Sequence, residues 1–239
     1  MNWPGPEVCI EFEPMQTSDK ALSLAQMIDH TLLRADASAS EVQKLCEEAK
    51  HFGFYSVCVQ PSFVSLAQSV LGSSAVEICA IKICTVVGFP LGVNETQVKS
   101  FEAKVAVDEG ADELDMVLNI GALKSEKAEL VYADIAAVVD AAQGRPVKVI
   151  LETCLLTEAE KVAACHLAEK AGAQFVKTST GFAAEGAKLE DIRLMHQCVG
   201  GRLGVKASGG IRTRAQALEM IQAGATRLGT SHGIAIVGE

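Results

Sequence analysis

No apolar run in these 239 residues reaches the roughly 18 needed to span a bilayer, so a membrane-embedded protein is not expected. There is no excess of basic charge either. Lys and Arg number 21 against 30 Asp and Glu, giving a formal net charge of −9 and a pI near 5.1. An acidic surface argues against nucleic acid or an anionic membrane as partner, and any anionic ligand must be met by a local site. The eight cysteines contain no C-x-x-C pair, and most sit in apolar stretches such as EICAIKICTVV, where a thiol packs as a small hydrophobe. They are read as reduced thiols of a cytoplasmic protein, not as a disulfide framework. The five histidines show no H-E-x-x-H or related ligand spacing, so no metal or other cofactor is expected. G-x-S-x-G, a P-loop and a G-x-G-x-x-G after the first strand are all missing. The N-terminus has no basic residue before Lys20 and does not read as a signal peptide.

What is present is a repeated grammar. An amphipathic helix ends at a glycine and a short apolar strand follows at once, as at Gly53, Gly110, Gly172 and Gly224. Val42, Leu45, Cys46 and Ala49 recur at helical spacing behind a cap expected at Ser40. Thr157 with Glu160 and Thr213 with Gln216 have capping-box spacing, and Asn94 is placed to cap a helix carrying Val98, Phe101 and Val105. Seven strands are expected at 54–59, 80–87, 113–120, 147–152, 174–179, 203–208 and 226–231, with an eighth at 28–33. Their nearly all-apolar character suits a parallel sheet covered by helices. Eight βα units in a chain of this length predict a (β/α)₈ barrel over residues 21–239, behind a loosely ordered extension at 1–20. An open doubly wound sheet is the competing topology.

Active sites of such barrels lie at the C-terminal ends of the strands. Ionisable residues at those ends are Asp115, Glu152, Lys177 and Lys206. A buried lysine most simply pairs with a carboxylate in a structural ion network, and Lys82 and Lys148 are read that way, with Glu152 as a partner for Lys148. Lys177 and Lys206 stand on neighbouring strands, each before small polar residues. Two ammonium groups brought together in an apolar interior disfavour each other's charge, so one can be a neutral amine able to attack a carbonyl and form an imine. Asp115 can move the protons that follow, or serve as a counter-ion, and the two roles are compatible. Ser208-Gly209-Gly210 and Gly229-Thr230-Ser231-His232-Gly233 follow the last two strands, where barrels often hold phosphate.

From Ile28 onward, over about nine-tenths of its length, the chain resembles the deoxyribose-phosphate aldolases. The matching stretches are IDHTLL, YSVCVQP, VVGFPLG, GADELDMVLNIG, VKVILET, FVKTSTGF, GVKASGGIRT and RLGTS, in family order. FVKTSTGF and GVKASGGIRT are the specific ones. The resemblance implies a metal-free class I aldolase that reversibly cleaves 2-deoxy-D-ribose 5-phosphate to D-glyceraldehyde 3-phosphate and acetaldehyde. It implies Lys177 as the Schiff-base lysine, Lys206 as the lysine that lowers its pKa and Asp115 as the proton-transfer carboxylate. Asp29 and Cys58 become pocket residues. Thr180, Gly181, Gly209, Gly210 and Ser231 become substrate contacts, the glycines and Ser231 toward phosphate. His232 departs from the family pattern, which often has a second serine there. A homodimer or higher homo-oligomer is expected by analogy. Two other functions compete: a related Schiff-base aldolase with a different carbonyl donor such as dihydroxyacetone phosphate, and a non-catalytic phosphosugar-binding barrel.

Overall fold

A computed structural model of the chain describes residues 24–72 and 81–238. The expected extension at 1–20 and the domain boundary behind it lie outside these residues, as do Cys9 and Cys79. In chain order the elements are β1 (Ile28–Leu32), α1 (Ala39–Phe52), β2 (Ser56–Val59), α2 (Val64–Leu71), β3 (Lys82–Val87), α3 (Thr96–Asp108), β4 (Glu113–Val117), α4 (Ile120–Lys124), α5 (Ala128–Ala141), β5 (Val147–Ile150), α6 (Glu158–Lys170), β6 (Phe175–Lys177), α7 (Leu189–Val199), β7 (Gly204–Ser208), α8 (Arg214–Gln222), β8 (Arg227–Thr230) and α9 (Gly233–Gly238).

The eight strands pair in sequence order and all in parallel. Ile28 of β1 meets Leu228 of β8, which closes the barrel and removes the open-sheet alternative. Closure leaves no unpaired edge. Strand alternation then separates two interiors. Val57, Val59, Val149, Val176, Val205 and Leu228 point outward and pack under the helices in the main hydrophobic core. The inward set divides again. Leu33, Cys58, Cys84 and Val86 form a small apolar cluster on the β1–β3 side, while the remaining inner face carries charge.

β2, β3 and β7 end where expected, while β1, β4, β5, β6 and β8 end one to three residues short of the apolar runs, which continue into the loops that build the barrel mouth. Gly53, Gly110, Gly172 and Gly224 all take positive φ after their helices, as the joint pattern requires. Thr157 and Thr213 form the expected capping boxes. The α1 cap is Ser38, not Ser40. Ser38 is extended, its hydroxyl accepts from the Glu41 N–H and the Glu41 carboxylate accepts from the Ser38 N–H, so Ser40 already lies inside the first turn. Asn94 likewise does not cap α3, whose N-cap is Glu95 with no side-chain bond. The apolar set Val98, Phe101 and Val105 faces outward at 51%, 69% and 37% exposure, and α3 packs inward through Ala103, Ala106, Val107 and the buried Lys99. Lys99 is satisfied by Asp134 at 2.6 Å and the Val117 carbonyl at 3.0 Å, which explains how a lysine can stand on the core side.

Candidate active site

Register places the charged residues side by side. Lys177 of β6 is opposite Lys206 of β7, and Asp115 of β4 is opposite Lys148 of β5. All four point into the barrel and are buried. Asp115 accepts from Lys177 at 2.8 Å and Lys206 at 2.7 Å through Oδ2, and from Lys148 at 2.9 Å and the Cys84 thiol at 3.2 Å through Oδ1. The network continues downward. Lys206 also pairs with Asp29, which accepts from Ser56 at 2.7 Å and Arg227 at 2.9 Å. Glu113 accepts from Lys148 at 2.7 Å and Arg227 at 3.1 Å. The Arg227 guanidinium lies 3.5 Å from the centre of the Tyr55 ring.

Four lysine and arginine side chains (Lys148, Lys177, Lys206 and Arg227) therefore meet three carboxylates (Asp29, Glu113 and Asp115) in the buried interior of the barrel. Such a set is costly to bury and is weak as a stability device. Burial pushes the Asp115 carboxyl up, but the ammonium groups of Lys148, Lys177 and Lys206 outweigh it and hold the carboxyl well below its usual range. Asp29 is held low in the same way, by Lys206, Lys148 and Arg227 against its burial. Burial opposes charge on Lys206 too, yet Asp115 and Asp29 raise its pKa, so it remains an ammonium through the neutral range. Lys148 is raised for similar reasons, with Asp115 the main counter-charge. One cation in excess of the carboxylates is the electrostatic signature of the site.

Lys148 thus belongs to an ion network as expected, but its partners are Glu113 and Asp115. The expected pairing with Glu152 does not form. Glu152 lies two residues past the end of β5 in a left-handed conformation, and its carboxylate meets Thr180 instead. Lys82, half-exposed, faces Asp112 at 3.5 Å.

Above the network opens a cavity of about 400 Å³ at the C-terminal ends of the strands. Lys177 forms its floor, and Thr180, Gly181, Gly209, Gly210 and Ser231 stand around it, so these six sequence candidates meet at one place. Asp115, Lys206 and Asp29 lie in the layer beneath, joined to Lys177 through Asp115. Cys58 is fully buried beside its register partner Cys84 and does not line the cavity. A hydrogen bond from Cys84 lowers the Cys58 thiol pKa, while burial drives that of Cys84 well up. Arg34, Arg212 and Phe182 also line the cavity and were not singled out in the sequence. Arg34 looks like any surface charge, paired with Asp36 and Glu41. Arg212 had a signal, since it lies two residues after Gly210 in the stretch GVKASGGIRT. The hydroxyls of Thr153 and Ser179 are buried without a hydrogen-bond partner among the described residues, but neither residue lines the cavity.

The ligand atoms of Cys58, Cys84 and Asp115 lie within 4.8 Å of one another, as do those of Asp29, Cys84 and Glu113. Both sets could in principle hold a cation. Their carboxylates, however, already accept from lysine and arginine, whose charge opposes a metal ion in the same space.

A closed (β/α)₈ barrel with a lysine at the floor of a cavity, backed by a second lysine and a shared carboxylate, defines a barrel lyase of the aldolase kind. Residues 23–237 match the family model described as DeoC/LacD family aldolase, and the chain belongs to that family. It is 57% identical to a deoxyribose-phosphate aldolase of Geobacillus sp. (strain WCH70) over 216 residues, 90% of this chain and 95% of that protein. It is also 57% identical to one of Carboxydothermus hydrogenoformans over 218 residues, 90% of this chain and 93% of that protein. Among solved structures, the deoxyribose phosphate aldolase of Aeropyrum pernix, described as a tetramer, superposes with a TM-score of 0.83 at 33% identity, covering 91% of each chain.

Proposed function

We propose that this chain is the class I aldolase of 2-deoxy-D-ribose 5-phosphate and that Lys177 is its nucleophile. The observation that carries the reading is the position of Lys177: it is the lysine of the network that lines the cavity, and it shares one Asp115 oxygen with Lys206, whose pKa Asp115 and Asp29 raise against its burial. The Lys177 amine attacks C1 of the open-chain sugar and, with loss of water, leaves an iminium. The C2–C3 bond then breaks. Its electron pair moves into the iminium to give an enamine, the C3 hydroxyl loses its proton, and D-glyceraldehyde 3-phosphate departs. Protonation of the enamine and hydrolysis return the amine and release acetaldehyde. Asp115, held as a carboxylate, receives and returns these protons directly or through water. The electron sink is the iminium itself, which makes a donor with a free methyl or methylene next to the carbonyl sufficient. No helix among the described residues is long and apolar enough to cross a membrane.

The phosphate is assigned to the loops after β6, β7 and β8. Gly181 and Gly210 have φ of 85° and 80°, and a Cβ at either would meet no protein atom within 4 Å. Both therefore present bare backbone to the cavity, where N–H groups can approach an anion. The hydroxyl of Ser231, bonded at 3.1 Å to Nδ1 of His232, and the guanidinium of Arg212 complete the rim. Charge-assisted hydrogen bonds contribute roughly 1.5–3 kcal/mol each. Free 2-deoxyribose is then expected to be cleaved at least ~100-fold less efficiently than its 5-phosphate, since remote binding energy orients the reacting bond. Gly210→Val puts a side chain where the anion sits and should penalise the phosphorylated sugar much more than the free one. Equal kcat/KM on the two sugars in the unmutated protein would remove the phosphate site.

Self-association is assigned to the outer face of α3. Val98, Phe101 and Val105 line one groove with Pro61 and Ala106, an apolar surface that water does not favour. Phe101→Glu should reduce the mass measured by light scattering to that of one 25.2 kDa chain while the far-UV circular dichroism is kept. An unchanged mass would move the interface elsewhere.

A further inference from the structure

Glu152 is buried, at 3% exposure, and holds φ 55° and ψ 63°. A non-glycine residue in this region costs on the order of 1 kcal/mol or more. The other two such residues among those described, Glu126 and Gln143, lie two positions past the last residues of α4 and α5, where left-handed caps are routine. Glu152 follows a strand, so that explanation fails. Its side chain, unlike the other buried carboxylates at the barrel centre, is paired with no lysine or arginine among the described residues. Both carboxylate oxygens accept from the Thr180 N–H at 3.3 Å, and Oε2 accepts from the Thr180 hydroxyl. The same hydroxyl accepts from the Phe182 N–H at 3.1 Å.

A threonine hydroxyl has one proton and two lone pairs. Glu152 takes the proton and Phe182 takes one lone pair, so a single lone pair is left on a residue that lines the cavity. We propose that Glu152 is a positioning residue that fixes the Thr180 hydroxyl as a pure acceptor, and that this selects an aldehyde bearing a hydroxyl next to its carbonyl. The inference rests on the aldolase reading above. A hydroxyl on the aldehyde half of the substrate donates to Thr180, and an aldehyde without one leaves the lone pair unmet. The left-handed backbone at 152, two residues past β5, accompanies the reach of this carboxylate across to the loop after β6.

Replacing the acid by its amide makes a sharp probe. Gln has one acceptor and two donors, so it cannot accept from both Thr180 groups with both of its ends. The Thr180 hydroxyl then accepts from the amide and turns its own proton into the cavity. Glu152→Gln should lower kcat/KM for addition of acetaldehyde to D-glyceraldehyde 3-phosphate by about tenfold or more. Addition to 3-oxopropyl phosphate, which lacks the hydroxyl, should change by less than about threefold. Exchange of the acetaldehyde methyl protons for deuterium, which needs the amine but no acceptor aldehyde, should also stay within about threefold. Thr180→Val should show the same selective loss, and the double variant should lose no more than Thr180→Val alone. Glu152→Gly relieves the backbone strain and should fold, with the same loss, which separates the effect from misfolding. The proposal is overturned if exchange falls in parallel with addition, if both acceptors suffer equally, or if the two substitutions multiply. Absence of exchange in the unmutated protein would instead undo the assignment of the amine.

Discussion

Borohydride added together with acetaldehyde should leave a two-carbon adduct on Lys177 and abolish turnover in proportion to its formation. The adduct is the reduced imine, and peptide mass mapping locates it. Lys177 is the expected position because the cavity reaches its amine, whereas Lys148 and Lys206 are fully buried beneath it and tied to two carboxylates each. Lys177→Leu should remove essentially all cleavage, since no other lysine among the described residues lines the cavity. It should not unfold the barrel. The network has four cations against three carboxylates, so removing Lys177 leaves it balanced, and Asp115 keeps Lys148 and Lys206. An unchanged melting temperature with lost activity would fit this account. An adduct found on Lys206 alone would reverse the two lysines' roles, and a Lys177→Leu protein that still exchanges acetaldehyde protons would remove the Schiff base from Lys177 altogether.

The barrel was legible because its signals are local. Glycine after each helix and apolar runs at βα spacing recur often enough to survive errors at any one joint. The misplaced caps show the limit of that logic. Ser38 and Ser40 have the same chemistry, and only backbone conformation decides which one accepts from the third N–H of the helix. Val98, Phe101 and Val105 carry a helical period that says one face is apolar, not that the face is buried; tertiary packing put the small residues of α3 inward instead. In the site, Lys177, Lys206 and Asp115 stood out as charges in apolar strands. Glu113 and Arg227 carry the same signal in their own strands but fall at the strand starts, away from where a barrel's chemistry is sought. The partner of Glu152 could not be read, because parity assumes that a strand continues, and this one ends at Ile150, two residues earlier.

Lys206→Met should lower kcat/KM at neutral pH by orders of magnitude and move the rising limb of its pH profile to higher pH. The reactive form of Lys177 is the uncharged amine. In the native network Lys206 stays charged, because Asp115 and Asp29 outweigh its burial, and its ammonium opposes a second positive charge beside it. Removing Lys206 withdraws that opposition. It also leaves three cations against three carboxylates, a set that is neutral only while Lys177 keeps its proton. Both changes favour the ammonium, so the sign is the same for each. Every unit by which the limb moves removes about tenfold of the free amine at fixed pH, near 1.4 kcal/mol. Activity should therefore recover in part as the pH is raised. Lys206→Arg, which keeps the charge in a larger and differently shaped group, should leave the limb nearer its native position even if kcat falls. A methionine variant with a lower rate but an unshifted profile would show that Lys206 acts by shape or by delivering a proton, and not by setting the charge state of its neighbour.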